Sequence, residues 1–361
     1  MAQAMNVLTQ EDLPPTEYES ARDEALALTE KLVGARAFPA LVASFGTELP
    51  PNYGSFDLSY KLSLLRAFTV THLDVRKGKE RWQVGDVAYT AEQEAAIADV
   101  VAELHMQGET YAQLDSYDAA QVLGGRAVGT DGAAASGTCA LRIDKLAREI
   151  ERGVRVPYVF LLGSARPLDD VEQAAYPGAR TEFDALTMAF ERRFGIERGV
   201  TAEVEDFQDV QHRPGERDAW RIRHYALADG THAFAVSAPA REGRDRASTP
   251  DTYRFIQALI SHDMLPRGSL LSITTDLYVP FQCADALRQL GLPMDIKVET
   301  IGCDGADRPT SSYAAEINSA VKQTDRLYDA LLAQADVRDF AGAYDPAENP
   351  ILDALVTKLA V

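Results

Sequence analysis

Apolar residues recur at helical spacing through the first third of the chain. The segments from Glu17 to Val33 and from Tyr60 to Val70 carry this pattern, which predicts two helices. Thr90 is a suitable N-cap for a third helix that reaches about Met106. We therefore predict a helical N-terminal region over residues 1–115.

From Tyr117 the pattern changes to short apolar runs that alternate with helical segments. This alternation is typical of βαβ units and predicts an α/β fold with a Rossmann-like, mainly parallel sheet and helices on both faces. We place this domain at residues 116–327 and a C-terminal helical tail at residues 328–361. The predicted strands are Ala119–Leu123, Tyr158–Leu162, Ala202–Phe207, Ile222–Leu227, Ala233–Ser237, Leu270–Thr274 and Ile296–Ile301. The predicted helices are Leu141–Arg152, Thr181–Phe194, Pro250–His262, Pro280–Leu290 and Ala314–Ala333.

One segment departs from this alternation. Between Trp220 and Ala240, two strand-like runs flank Ala228-Asp229-Gly230-Thr231. An Asp-Gly pair between strands is a turn signal, so the segment predicts a β-hairpin inserted into the α/β plan.

The charge balance argues against two classes of partner. The chain has 361 residues and a formal net charge of −19. Such a field repels nucleic acid and anionic membrane surfaces, so neither is predicted as a partner. We find no signal peptide and no apolar stretch long enough to span a bilayer, which predicts a cytoplasmic location. The sequence makes no prediction of oligomeric state.

The cysteines and histidines do not suggest a metal centre. The three cysteines, Cys139, Cys283 and Cys303, are widely separated, which argues against a disulfide framework and a structural zinc site. His224 and His232 flank the predicted hairpin turn without a third ligand nearby. No metal is therefore predicted.

Two predicted strands end in small residues that are followed by an arginine. Gly124-Gly125-Arg126 ends the first, and Gly163-Ser164-Ala165-Arg166 ends the second. Glycine lets the backbone turn sharply and expose its N–H groups, and open α/β sheets bind ligands where their strands end. These loops predict one edge of a ligand cleft, although neither is a GxGxxG or Walker A motif.

Six short motifs follow one another in the α/β part of the chain. They are Leu123-Gly124-Gly125, Arg142 near the start of a helix, Gly163-Ser164, Glu182 early in a helix, Thr249-Pro250-Asp251-Thr252 and Ile273-Thr274-Thr275. In this order they resemble the YdcF/SanA/ElyC-like family, a Rossmann-like group of mostly unassigned function. The resemblance covers about residues 117–305.

This chain departs from the family pattern at several polar positions. Tyr278 stands where the family has a histidine, and Phe281 stands at its following arginine. Arg246 aligns near a family glutamate, and Phe255 near a family asparagine. Chemistry that depends on the family's histidine is therefore not expected here, since a phenol is a poor base at neutral pH.

The resemblance implies a small nucleotide-type or phosphorylated ligand, with S-adenosylmethionine as one candidate. In that case Arg142 holds an anionic group and Glu182 binds a hydroxyl or acts as a base. The predicted catalytic residues are Glu182 and Asp276. The predicted ligand-binding residues are Gly124, Gly125, Arg126, Arg142, Gly163, Ser164, Arg166, Thr249, Thr252, Thr274, Thr275 and Tyr278.

Each of these residues also has a structural alternative. The glycines can serve tight turns, the arginines can pair with nearby acids, and Glu182 can favour its helix dipole. Thr274, Thr275 and Asp276 can cap the helix predicted near Pro280.

The sequence is compatible with three hypotheses of function. The first is a protein that binds a small ligand in the cleft. The second is a transferase or hydrolase that acts on a phosphorylated or amino-acid-like metabolite in a specialised biosynthetic pathway. The third is an interaction protein that uses its acidic helical region.

Overall fold

The computed structural model describes residues 20–77, 87–209, 216, 219–244, 246–259, 268–305 and 308–333. Its centre is a seven-stranded sheet, and every predicted strand is confirmed. The strands are β1 Ala119–Leu123, β2 Tyr158–Gly163, β3 Ala202–Gln208, β4 Arg221–Leu227, β5 His232–Ser237, β6 Ser269–Thr275 and β7 Lys297–Cys303.

The strand order is β3-β4-β5-β2-β1-β6-β7. β1 lies in the middle, parallel to β2 on one side and to β6 on the other. β5 and β7 continue the parallel set outwards. The chain first adds strands on the β2 side of β1. It then crosses over and adds β6 and β7 on the other side, as in Rossmann-like sheets. The predicted α/β fold with a mainly parallel sheet is confirmed.

The predicted hairpin is also present, but it is more than an insertion. β4 and β5 pair in antiparallel fashion up to Ala226 and His232, on either side of the predicted turn. β5 pairs in parallel with β2 as well, with Gly163 opposite Ser237. The inserted part is therefore β3 and β4, which extend the sheet beyond β5.

Helices cover both faces of the sheet. The α-helices of the described residues are α1 Ala21–Val33, α2 Ala37–Ser44, α3 Leu58–His72, α4 Ala91–Glu103, α5 Thr138–Glu151, α6 Asp170–Ala175, α7 Glu182–Arg193, α8 Thr249–Leu259, α9 Val279–Ala286, α10 Leu292–Met294 and α11 Thr310–Leu332. A π-helical turn, Leu287–Gly291, joins α9 to α10.

Alternate residues of each strand face different cores. Ala120 and Val122 of β1 join the core beneath α5 and α7. Ala119 and Leu123 join the core beneath α8 and α9. Because parallel strands are buried on both faces, they appear in the sequence as nearly continuous apolar runs.

The N-terminal helices share a third core with α11. This core brings Phe38, Leu65 and Val100 together with Ile317 and Val321 of α11. α11 continues without interruption across residue 328, where the tail was predicted to begin. The predicted start of the first helix at residue 17 and the predicted end of α8 at residue 262 lie outside the described residues.

Local sequence explains where several helices begin. Thr90 caps α4 as predicted, and its capping box is completed by Gln93. Thr181 and Asp184 form the same device at the start of α7. Within the described part of the chain, no helix has the length and apolarity needed to cross a membrane.

Candidate functional site

The carboxyl ends of β1 and β6 lie side by side where the sheet changes its direction of growth. Val122 of β1 is opposite Ile273 of β6, so Gly124 and Gly125 lie near Thr275. Open α/β sheets leave a crevice at such a switch point, because the loops on either side leave in opposite directions. We call this feature the β1/β6 crevice.

Gly124 and Gly163 allow helix α7 to approach the strand ends. A Cβ atom at Gly124 would overlap Oε1 of Glu182 and would lie 2.6 Å from the carbonyl oxygen of Leu162. A Cβ atom at Gly163 would lie 2.8 Å from Cα of Phe183. The first turn of α7 therefore packs against bare backbone, which gives both glycines a structural role.

Arg166 lies at the centre of an ion network on the β2 side of β1. Its terminal nitrogens donate to both carboxylate oxygens of Glu172 at 2.8 Å, and its Nε donates to Glu182 at 3.0 Å. Glu172 also accepts from the backbone N–H of Ala127 at 2.8 Å. Burial alone raises the pKa of Glu172, but the hydrogen bonds from Arg166 and the backbone outweigh it and lower that pKa to about 2.

Glu182 is buried beside Gly124. Burial raises the pKa of this carboxyl group above its ordinary value, although Arg166, Arg246 and Ser164 act in the opposite direction. A carboxyl group with a raised pKa is suited to proton transfer near neutral pH. Its ion pair with Arg166 also fixes it in place. The surroundings of Glu182 are therefore compatible with a catalytic role and with a structural role.

Arg142 lies on the other side of β1, at the crevice. It projects from α5, is only 3% exposed, and donates from Nε to the Thr275 hydroxyl at 3.1 Å. It also donates to the carbonyl oxygens of Leu123, at 2.9 Å, and Gly124. These three acceptors are neutral, so these bonds orient the guanidinium group without supplying a negative charge.

Tyr278 lies between Arg142 and a second arginine, Arg308. The guanidinium carbon of Arg142 is 5.8 Å from the centre of the Tyr278 ring, and that of Arg308 is 5.7 Å from it. Nε of Arg308 is buried and has no hydrogen-bond partner within the described part of the chain. Two positive charges thus converge on one aromatic ring at the β1/β6 crevice.

Asp276 follows β6 and receives backbone N–H groups. It accepts from Gly108 at 2.9 Å and from Leu277 at 2.7 Å. Burial raises its pKa, while the bonds from Leu277, Gly108 and Gly305 and the charge of Arg308 lower it, with a net rise. The carboxylate therefore accepts hydrogen bonds from three separate backbone positions. Its predicted catalytic role stays a prediction.

The remaining predicted residues differ in their surroundings. Arg126 is exposed and pairs with Asp169 at 3.3 Å. The Ser164 hydroxyl accepts from the backbone N–H of Arg166 at 3.3 Å. The hydroxyl of Thr274 is buried and has no partner among the described residues. Thr274 faces the same side of the sheet as Ser272, away from Arg142.

The two predicted threonines of α8 occupy its first turn. Thr249 is its first residue and is half-buried. Thr252 is buried, and its hydroxyl donates to the carbonyl oxygen of Ser248 at 3.3 Å. The structure therefore brings the glycines, Arg142, Glu182, Thr275 and Tyr278 to one edge of the sheet, whereas the described bond of Thr252 is local to α8.

A pocket opens at the carboxyl end of β5, beside the first turn of α7. It is a small recess that is open to solvent. Its lining includes Ala165, Phe183, Trp220, Arg221 and Ser237. We call it the β5-end pocket. Part of its lining comes from the start of β4, which belongs to the β3–β4 insertion.

The remaining candidate groups are a pair of histidines and the three cysteines. The rings of His224 and His232 stack, and their nitrogens lie 3.0 Å apart. Among the described residues, no group of three or more His, Cys, Asp or Glu side chains could hold a metal ion. All three cysteines are free thiols.

Sequence reasoning missed Glu172 and Arg308. Glu172 completes a capping box with Asp169 at the start of α6, and an Asp-x-x-Glu pattern could have revealed this helix. Arg308 follows β7 through a glycine-containing loop, the same pattern that drew attention to Arg126 and Arg166. It was overlooked because no family motif coincides with it.

Comparison with known proteins places the similarity across both parts of the fold. The family model described as "Rv3785 N-terminal domain" matches residues 16–105, which include α1 to α4. The chain is 28% identical over 271 residues to "Uncharacterized protein Mb3814" of Mycobacterium bovis and to "Uncharacterized protein Rv3785" of Mycobacterium tuberculosis. In each case the match covers 72% of this chain and 71% of the relative, so it extends well into the α/β region. No solved structure matches the chain.

Proposed function

We propose that this protein binds a small phosphorylated or nucleotide-type ligand at the β1/β6 crevice. The observation that carries the proposal is the convergence of Arg142 and Arg308 on the Tyr278 ring. Guanidinium groups bind phosphate and carboxylate oxygens with paired, charge-assisted hydrogen bonds. The crevice is also the position at which open α/β sheets bind their ligands.

The charge of the whole chain makes this arrangement selective. With a formal net charge of −19, most of the surface repels an anion. An anionic ligand is therefore held only where cations are concentrated and oriented. Arg142 is oriented by its bonds to Thr275 and the backbone, and the buried Nε of Arg308 still requires an acceptor.

S-adenosylmethionine remains one candidate within this class. It carries an adenosine group and a carboxylate, but also two positive charges. A phosphate monoester carries up to two negative charges and suits a pair of arginines better. The proposal therefore ranks phosphorylated ligands first, and a direct comparison of the two kinds of ligand tests that ranking.

Isothermal titration with ribose 5-phosphate, adenosine 5′-monophosphate and S-adenosylmethionine tests the proposal. We expect Arg308→Gln to weaken binding of the phosphorylated probes about 10- to 100-fold, because a charge-assisted hydrogen bond is lost. Arg155→Gln is a matched control, since Arg155 is exposed and lies just before β2, at the opposite edge of the sheet. If none of the three probes binds, the proposal is contradicted.

An enzymatic role is a second candidate, favoured by the buried carboxyl group of Glu182 beside Gly124. In that case the protein is a transferase or hydrolase, and Glu182 exchanges a proton with a ligand in the cleft. The wild type would release phosphate from a phosphorylated probe, detected by ³¹P NMR, or convert S-adenosylmethionine, detected by mass spectrometry. Glu182→Gln would abolish the turnover while leaving the circular dichroism spectrum unchanged. Unchanged turnover in that variant excludes this role.

A further inference from the structure

We infer that binding of an anion at the β1/β6 crevice is coupled to the uptake of a proton by Asp276, so that the affinity for the anion falls as the pH rises. The inference rests on the proposed function, because it takes the anion to bind at Arg142 and Arg308. It adds regulation by pH to that site. The role of Asp276 is then to compete with the ligand for the charge of Arg308.

Asp276 lies beside Arg308 in a part of the crevice that has little contact with water. A Cβ atom at Gly305 would lie 3.0 Å from Oδ1 of Asp276 and 3.0 Å from Nη2 of Arg308, so both atoms border the same small space. Asp276 is only 3% exposed. The two groups are therefore close enough to influence each other's charge.

An anion held by Arg308 would lie next to an ionised Asp276. A guanidinium group is a rigid planar fork, so an anion bound to Nε is also close to Nη2 and to the carboxylate beside it. Like charges at short range repel strongly where little water lies between them. The repulsion favours the neutral form of the carboxyl group, so a proton on Asp276 removes the conflict. The same proton leaves the charge of Arg308 to the ligand.

The surroundings of Asp276 already favour its neutral form more than water does. Burial raises the pKa of its carboxyl group, and the bonds from three backbone N–H groups and the charge of Arg308 lower it, with a net rise. A carboxylate has about four lone-pair sites, so these three bonds leave room for a proton. A bound anion raises the pKa further. Binding then weakens as the pH rises through the raised pKa, by at most about 10-fold per pH unit for one proton.

The elements around Asp276 bring further charged and titratable groups. They are Arg142 of α5, Tyr278 of the same turn, Cys303 and Asp304 at the end of β7, Tyr313 and Glu316 of α11, and His105 before Gly108.

Most of these groups do not respond to an anion near neutral pH. Arginine side chains are charged and phenols are neutral in this range. Burial raises the pKa of the Cys303 thiol, so this group keeps its proton. Glu316 pairs with Arg76 at 4.0 Å, and Asp304 is exposed. α9 begins with Val279-Pro280-Phe281, which carry no charge. An experiment therefore has to separate Asp276 chiefly from the imidazole of His105.

Calorimetric titration with inorganic sulfate tests the coupling. Sulfate is a dianion that does not titrate near neutral pH, whereas a phosphate monoester has a pKa of about 6. We expect the dissociation constant of the wild type to rise about 3- to 30-fold between pH 5 and pH 8, and buffers of different ionisation enthalpy to show proton uptake on binding. Binding without proton uptake overturns the inference but leaves the proposed function intact. If sulfate, ribose 5-phosphate and AMP all fail to bind, the proposed function fails as well.

Asp276→Asn separates competition from a structural role. The variant has nearly the same shape without the charge, so we expect it to bind sulfate about 3- to 30-fold more tightly than the wild type at pH 8, with no dependence on pH. If Asp276 serves only to anchor the loop through Gly305, the variant binds more weakly at every pH, and the inference is wrong. Ribose 5-phosphate gives the same comparison, because its own protonation contributes equally to both proteins.

Two control variants assign the proton. His105→Asn removes the imidazole, and asparagine tolerates the left-handed backbone of this residue, whose φ is 52°. Arg155→Gln changes an exposed charge at the opposite edge of the sheet. Both should keep the pH dependence of the wild type, and its loss in His105→Asn overturns the inference.

Infrared difference spectroscopy tests the wild type itself, in case Asp276→Asn does not fold. A carboxyl group that gains a proton on sulfate binding shows a new C=O stretching band. When the carboxyl groups of all aspartates carry ¹³C, the band shifts if an aspartate has taken up the proton and stays in place if a glutamate such as Glu182 has done so. A spectrum without a shifted band contradicts the inference.

Discussion

The two sides of β1 use arginine in opposite ways. On the β2 side, Arg166 pairs with Glu172 and Glu182, so its charge is compensated within the protein. On the β6 side, Arg142 and Arg308 converge on Tyr278, and the described bonds of Arg142 are to neutral acceptors. The first arrangement holds the fold together, and under the proposed function the second prepares a site for an anion. Asp276 is the carboxyl group whose pKa the charge of Arg308 lowers, so the compensation on the β6 side is partial.

The largest expected effect comes from breaking the β2 side. Arg166→Gln should lower the free energy of unfolding by about 3–5 kcal/mol, because it leaves two buried carboxylates without their cation. Urea denaturation measures the change, with the exposed Arg155→Gln variant as control at less than about 0.5 kcal/mol. A loss below about 1 kcal/mol for Arg166→Gln would show that this ion network does not stabilise the fold.

The same network should make the protein sensitive to acid. The pKa of Glu172 is about 2 in the folded state and 4.5 ordinarily, so its contribution is complete above pH 4.5. As the pH falls from 4.5 towards 2, up to about 3 kcal/mol of stability is lost. Urea denaturation from pH 6 to pH 3 should show the wild type losing its advantage over Glu172→Gln. A difference that does not change with pH contradicts this expectation.

Gly124→Ala tests how closely α7 and β2 pack against the end of β1. The new Cβ atom would overlap Glu182 and crowd the Leu162 carbonyl, so we expect a loss of about 1–3 kcal/mol. Gly54→Ala is the control, because a Cβ atom there has no neighbour within 4 Å. Thermal unfolding compares the two variants. Equal melting temperatures would mean that α7 can move away from the strand end at little cost.

The smallest expected change in stability belongs to the β6 side. Arg308→Gln should alter the free energy of unfolding by less than about 1 kcal/mol, since it removes mainly a cation–π contact with Tyr278. Urea denaturation beside Arg166→Gln makes the comparison direct. If both variants lose similar stability, the fold depends equally on the arginines of the two sides of β1.

The strands were predictable because buried strands appear in the sequence as short apolar runs. All seven agree with the sequence prediction to within two residues at each end. Runs such as Val159–Leu162 are apolar on both faces and end at glycine or a polar residue, so the chain itself marks their limits. The cap of α4 at Thr90 was predictable for the same reason, since capping is a contact between near neighbours.

Pairing over long distances was not predictable in this way. Nothing local to His232–Ser237 indicates that β5 lies beside β2 as well as beside β4. Helix α2 was missed because its pattern is apolar throughout and includes Pro39, which is tolerated in the first turn of a helix. Glu172 was missed with α6, and so was the fact that Arg166 has an internal partner.

The bond between the Gly108 N–H group and Asp276 determines where the chain can be divided. The same segment forms two further bonds with the end of β7, between Thr110 and Gly302. A protein that began after residue 110 would lose these contacts, and the Gly302 N–H group would have to find a new acceptor. The loop that leads to Arg308 is anchored to the same carboxylate through Gly305. The segment that follows α4 is therefore bonded to the carboxyl end of the sheet, and a fragment containing the sheet alone would have to retain residues 108–110 to keep Arg308 in position.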